Sequence, residues 1–538
     1  MDNSVPAWLK DAVFYEIYPQ SFHDSNGDGI GDLEGIRQKL DYVQSLGCNV
    51  VWLNPCFASP FGDAGYDVSD YRKVAPRYGT NADLRRLVAD LHRRKMRLCL
   101  DFVPGHTSVE HPWFKKSCSP KPNRHSNWYI WTDSVWIAAP GFNTVNAISD
   151  RDGQYVTNFF WFQPALNYGF AKPDPAQPWQ LPTDHPDVLA LKREMRGIMQ
   201  FWLEMGVDGF RVDMASSLVK GDTDGSAMRA HWAEERAWLK NAFPEAVLIA
   251  EWSNPPAAIP AGFHIDFMIH FGTPAYTSLF RAEKERFAWP CPEPGHSFFD
   301  RQGKGDITAF LKHYLDAYRK TRDLGYISLP TGNHDITRLN LDRDVAELKA
   351  AMAFLLTMPG IPTIYYGDEI GMRHLPGLVS KEGGFCRTGA RTPMQWDRGR
   401  NAGFSTAPRQ RLYLPVDPDP GRPTVAAQEK DPGSLLNHVR ALLRLRRERP
   451  ALGNLGEFEL VHGEKGSNAL LYLRRLGGSA VLVAVNPSAE VATAFCRHPA
   501  VTGLGATLLG APLTATRKKG GLQITLPPRG YSVCELRT

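Results

Sequence analysis

The sequence predicts an α/β fold: a (β/α)8 TIM barrel with an inserted subdomain after strand 3 and a C-terminal β-sandwich. Three observations carry that prediction. Eight short apolar runs recur along the first two thirds of the chain, stretches with helical spacing separate most of them, and the last part of the chain changes to alternating strands.

The runs fall at 12–18, 49–53, 96–103, 209–213, 247–252, 266–269, 326–329 and 361–366. Each has the length of a strand buried on both faces, which is what a parallel barrel needs. Helical spacing marks 33–46, 82–94, 186–205, 227–242, 307–322 and 344–356, with Asp or Thr near several starts as caps. Residues 1–104 and 186–454 therefore make up the barrel. Between them, 105–185 is rich in Pro, Gly, Asn and Trp without a sustained helical period and forms the inserted subdomain. An irregular stretch at 371–433 and a helix at 434–449 lead to the domain at 455–538, where strands are expected at 469–473, 480–485, 521–526 and 532–536.

With 538 residues, 43% hydrophobic and 22% charged, the chain can bury a large core and form two or three domains. Its 62 basic and 57 acidic residues are mixed, so the net charge of +5 builds no concentrated field for nucleic acid or membrane. Small neutral partners are expected instead. No basic segment followed by an apolar run opens the chain, and no apolar stretch approaches membrane-spanning length, which predicts a cytoplasmic protein. The cysteines at 48, 56, 99, 118, 291, 386, 496 and 534 form no CxxC pairs and read as reduced structural thiols.

Catalytic groups of such barrels close the strands, so the ionisable residues at the ends of the runs are the ones to inspect. Asp101 and His106 follow the third run in DFVPGH, Arg211 and Asp213 the fourth in GFRVD, Glu251 the fifth in LIAEW, and His334 and Asp335 the seventh in GNHD. One acid at a strand end is commonly a helix cap; four such segments facing one mouth call for another explanation. Acids converging on one cavity must hold their pKa values apart, as the nucleophile and acid of a retaining glycosidase do. Arg211, on the same strand face as Asp213, is expected to keep it ionised and low, and apolar surroundings make Glu251 the raised one.

These four segments resemble the signature regions of glycoside hydrolase family 13, the α-amylase family. DSNGDGIGDLEGI, GYDVSDY, QPALN, RTPMQWD and NAGFS are similar to the exo-acting α-glucosidase and oligo-1,6-glucosidase branch, which includes α-glucosyl transfer enzymes. The resemblance implies Asp213 as nucleophile, Glu251 as general acid/base and Asp335 as the residue gripping the sugar in subsite −1. It also implies that Asp63, Tyr66, His106, Phe162, Arg211 and His334 line that subsite, with Arg387 or Arg391 pairing Asp63 across the glucose 4-hydroxyl.

Such a closed pocket would take small α-glucosides from the non-reducing end, with water or an alcohol or sugar as acceptor. Ala165 and Met214 stand where α-1,6 specialists carry other residues, so α-1,4 linkages are favoured; Gly105 replaces the usual Asn, and Thr388 a frequent Asp. Sucrose or trehalose isomerisation is the alternative within the same chemistry, and a catalytically inactive binding subunit the alternative outside it.

Asp24, Asn26, Asp28, Ile30 and Asp32 place oxygen donors at alternate positions around a glycine turn, but Gly35 stands where an EF-hand has its bidentate Glu. The resemblance implies a structural Ca²⁺ or Mg²⁺ there, with no cofactor for catalysis.

Overall fold

The computed structural model describes residues 5–146, 149–269, 274–281 and 296–537. Eight parallel strands close a barrel: β1 (Phe14–Ile17), β2 (Val50–Leu53), β3 (Arg97–Phe102), β4 (Gly209–Val212), β5 (Val247–Ala250), β6 (Ile265–Phe267), β7 (Tyr326–Pro330) and β8 (Ile361–Tyr365). Each strand pairs with its sequence neighbours, and β8 pairs back onto β1 with Phe14 opposite Thr363. In register, Asp101 lies opposite Arg211, and Arg211 opposite Ile249. The strands are buried almost throughout because helices cover the outer face and side chains fill the inner one.

Local chemistry sets the helix starts. Thr80 and Asp83 form a capping box at Asn81–Arg93, and Asp344 and Glu347 form another at Val345–Thr357. Pro186 begins Pro186–Glu204, where its missing N–H costs nothing. The stretch expected as one helix at 33–46 is two, Leu33–Gln38 and Leu40–Leu46, broken at Lys39. Two short helices after β5 and β6, Pro255–Ala261 and Pro274–Phe280, were not legible; both open with Pro, and the first has Pro260 inside it.

The inserted segment builds a ribbon of Thr144–Asn146 and Gln154–Val156 over a small core of Ile130, Val156, Ala165, Phe170 and Trp179. It is fastened to the barrel rim through a bridge between His106 and Ala165 and a bond from Leu166 N–H to the Gly105 carbonyl at 3.0 Å.

The C-terminal part is a sandwich of two antiparallel sheets. Its strands are β9 (Glu457–His462), β10 (Leu470–Leu476), β11 (Ser479–Asn486), β12 (Ala492–Cys496), β13 (Leu504–Gly510), β14 (Thr514–Lys518), β15 (Gly521–Leu526) and β16 (Gly530–Leu536). The sheet order is β9-β10-β11-β16-β13 against β12-β15-β14. Leu471, Leu473, Leu482, Ile524 and Leu526 fill the space between them. The larger sheet also covers Val345–Thr357, where the Thr357 hydroxyl meets the Tyr472 hydroxyl at 2.6 Å. That cover makes the helix apolar all round.

Cys48, Cys56, Cys99, Cys496 and Cys534 are buried thiols and Cys118 is a half-buried one. Cys386 is disulfide-bonded, which corrects the reading of all eight cysteines as reduced; spacing alone does not report pairing across folded loops. Cys291 lies outside the described residues. Among the described residues no helix is long and apolar enough to cross a membrane.

Candidate active site

The carboxyl ends of β3, β4, β5 and β7 bring Asp101, Arg211, Asp213, Glu251, His334 and Asp335 to one mouth. Arg211 is the hub. It is 1% exposed, its Nη1 donates to Asp101 at 2.7 Å and to Asp213 at 3.0 Å, and its Nη2 pairs with Glu251. Asp213 and Glu251, from neighbouring strands, thus face one another across a single guanidinium. Met214, at φ 44°, donates its N–H to Glu251 Oε2 at 2.8 Å and so clamps the acid to the turn after Asp213.

Burial pushes both carboxyls up and the guanidinium pulls both down, while the charge of Glu251 raises Asp213 and that of Asp335 raises Glu251. For Asp213 the balance is upward. This corrects the expectation that Arg211 holds it low: one guanidinium divided among three buried carboxylates does not offset the desolvation of each.

Asp335 differs. His334 Nε2 lies 3.2 Å from it, Arg387 Nη1 2.6 Å and Arg391 Nη2 3.1 Å, and these cations hold it well below the usual carboxylate range despite burial. His334 is fully buried between Asp335 and Glu16, whose Oε1 is 2.8 Å from Nδ1, and the two acids raise it to about 9 against the cost of burial. Both ring nitrogens thus carry protons at neutral pH. Asn54 braces Glu16 at 3.1 Å.

Tyr66 stacks on His334 with ring centroids 5.4 Å apart, and its hydroxyl meets His334 Nε2 at 2.6 Å and Asp101 at 3.1 Å. Trp52 Nε1–H donates to the same Asp101 carboxylate at 3.0 Å. Asp63 accepts from Gln163 Nε2 at 2.8 Å; burial raises it to about 6, with Arg387 and then Arg391 among the groups pulling it down. The two arginines thus ion-pair with Asp335 while acting on Asp63 through the field. Phe162 stacks on Phe160 and lies over Gly62, where an added Cβ would come within 2.9 Å of its ring. His106 is buried beside Asn158, 3.2 Å from its amide, and burial lowers it to about 3, keeping it neutral.

Glu16, Asn54 and Trp52 belong to this network and were missed, because they close strands whose sequences read as plain core. A fourth, Asp266 on β6, accepts N–H bonds from Trp252 at 3.1 Å, Ser253 at 3.2 Å and Asn254 at 2.8 Å, the three residues after Glu251. In the sequence it is simply the first residue of an apolar run.

The loop from Asp24 to Asp32 is rich in side-chain oxygens. Its donors are hard oxygens, as Ca²⁺ or Mg²⁺ requires. In the structure Asp24 accepts from Asn26, Gly27 and Gly29 N–H and from the Ser405 hydroxyl, Asn26 from Asp28 N–H, and Asp28 from Ile30 N–H. Asp32 caps the next helix through Gly35 N–H and holds Ser25. Among the described residues no three acidic, His or Cys side chains are gathered around one metal position. The donor chemistry fits a hard cation, and these oxygens serve the loop's own backbone.

Fold and site define a retaining carbohydrate-active barrel enzyme. The family of the α-amylase catalytic domain matches residues 16–454, and the chain belongs to it. It is 33% identical to the trehalose synthase/amylase TreS of Mycobacterium tuberculosis, over 88% of this chain and 80% of that one. It is 32% identical to an oligo-1,6-glucosidase of Parageobacillus thermoglucosidasius, over 89% and 90% respectively. Among solved structures, the trehalulose synthase MutB superposes with a TM-score of 0.81 at 28% identity, covering 98% of this chain and 100% of that one.

Proposed function

We propose that the protein is a retaining, exo-acting α-glucosidase and α-glucosyltransferase that removes or transfers the non-reducing-end glucose of small α-glucosides, with α-1,4 linkages favoured. The observation that carries this reading is the Asp213–Glu251 pair at the ends of neighbouring strands, both carboxyls held by one guanidinium. One carboxylate to attack and one carboxyl to give up a proton are what the first step needs.

An Asp213 oxygen attacks the anomeric carbon while Glu251 gives its proton to the departing glycosidic oxygen, which leaves as an alcohol. The glucose is then held as an ester of Asp213. Glu251, now ionised, takes the proton of an incoming water or hydroxyl as that oxygen attacks the same carbon and frees the Asp213 carboxylate. Asp335, kept ionised by three cations, is suited to binding sugar hydroxyls as the ring flattens, and Tyr66 offers a ring face to the glucose. Asp63, Arg387, Arg391, Phe162, His106 and His334 complete subsite −1.

A structural Ca²⁺ or Mg²⁺, if bound, would be held by Asp24, Asn26, Asp28, the Ile30 carbonyl and Asp32. It would supply loop rigidity, and no step passes through it.

Product analysis tests the reading. Maltose should give glucose, with glucosides appearing when an alcohol is added, and Asp213→Asn and Glu251→Gln should abolish both. Accumulation of trehalose from maltose, or of an isomer from sucrose, would install the isomerase reading that the trehalose synthase and sucrose isomerase relatives favour.

A further inference from the structure

Lys220 is a cation seven residues after Asp213. Its Nζ donates to the Ser217 carbonyl at 2.7 Å and to Asn158 Oδ1 at 3.2 Å, both neutral, and among the described residues no carboxylate ion-pairs with it. Asn158 in turn places its amide nitrogen 3.2 Å from His106 Nδ1 and 3.6 Å from Met214 Sδ. Met214 directly follows Asp213, and its N–H holds Glu251. The amine is therefore linked to Glu251 through Asn158 and then Met214, a chain that does not pass through Asp335.

Gly105 explains how the amide gets there. A Cβ at this position would meet Asn158 Nδ2 at 2.7 Å, so the departure from the family's usual Asn makes room for Asn158. The turn at 158–163 that carries Asn158 also presents Trp161, 58% exposed, and Phe159, 40% exposed. Burial alone lowers the Lys220 amine, to about 8, which is the mark of a desolvated cation lacking a counter-ion. It remains charged at neutral pH. An anion supplied by the substrate would offset that desolvation with a charge-assisted bond.

We propose that Lys220, positioned by Asn158 and Gly105, selects α-glucosides whose leaving group carries a carboxylate, and acidic alcohols as acceptors. This rests on the assignment of Asp213 and Glu251 above.

The test uses two matched substrates, 2-O-α-glucosylglycerate and 2-O-α-glucosylglycerol, which differ only in carboxylate against hydroxymethyl. For the wild type, kcat/KM should favour the acid by about tenfold at low salt, and the preference should shrink as salt rises. Lys220→Met should lower the ratio to about one or below. Should that variant not fold, Asn158→Asp, which gives the amine an internal carboxylate, should lower the ratio in the same way. A wild-type ratio at or below one, or an unchanged ratio in the variants, overturns the proposal. If neither glucoside is cleaved, the glucosidase reading falls, and calorimetry with glycerate against glycerol still decides the site. Binding of glycerate lost in Lys220→Met supports it; equal or absent binding of the two overturns it.

Discussion

Asp266→Asn should damage the acid/base without touching it. Asp266 is fully buried and holds the three N–H groups after Glu251, two on Oδ1 and one on Oδ2. Those bonds stabilise a turn whose middle residue, Ser253, sits at φ 53°, where a non-glycine residue is strained. Burial raises the carboxyl to about 8 while the N–H donors pull it down.

Asn keeps the shape and one acceptor, but it sets an amide NH2 against the Asn254 N–H. Leaving the Asn254 N–H without its acceptor costs about 2 kcal/mol. If that strain is relieved by movement of Glu251, it corresponds to about a 30-fold fall in kcat. The assay compares maltose with 4-nitrophenyl α-glucoside. Nitrophenolate leaves with little help from an acid, so kcat should fall about 30-fold on maltose and less than about threefold on the nitrophenyl substrate, with KM nearly unchanged. Equal losses on the two substrates, or none, would refute the positioning of Glu251 by Asp266.

Two further perturbations have outcomes fixed by the geometry. His334 has a folded pKa of about 9 against an ordinary 6.5, so its contribution to stability is complete below pH 6.5 and lost as pH rises through 9. Glu16→Gln removes one of its two carboxylate partners, and the difference in unfolding free energy from wild type should be largest near about pH 6, by about 1 kcal/mol, and smallest above about pH 9; denaturant titrations at several pH values check this, and a constant difference contradicts it. For the loop at 24–32, saturating Ca²⁺ should raise the melting temperature by a few degrees and a chelator should reverse it, with Asp28→Asn abolishing the shift; an unchanged melt in Ca²⁺ and Mg²⁺ alike excludes a structural cation there.

The barrel was legible because its strands are buried on both faces and read as short apolar runs, four of them followed by ionisable residues at the end that opens to the mouth. That pattern alone points to Arg211, Asp213, Glu251, His334 and Asp335. What stayed hidden has physical reasons. Glu16 and Asp266 act through partners distant in sequence, Glu16 through His334 and Asp266 through the turn after Glu251, so no local pattern marks them. The strands Thr514–Lys518 and Leu504–Gly510 are largely exposed at sheet edges and lack the alternation that reveals a half-buried strand. The charge balance around Asp213 depends on how many carboxylates share Arg211, which appears only once Asp101 is seen opposite it.

The covalent intermediate gives the most direct measurement. Incubation with 5-fluoro-α-glucosyl fluoride, whose fluorine slows breakdown of the glucosyl ester, followed by peptide mass spectrometry, should find one glucosyl equivalent on Asp213 and none in Asp213→Asn. Turnover without any trapped ester, or a label on another side chain, would contradict the assignment of Asp213 as nucleophile and Glu251 as its acid.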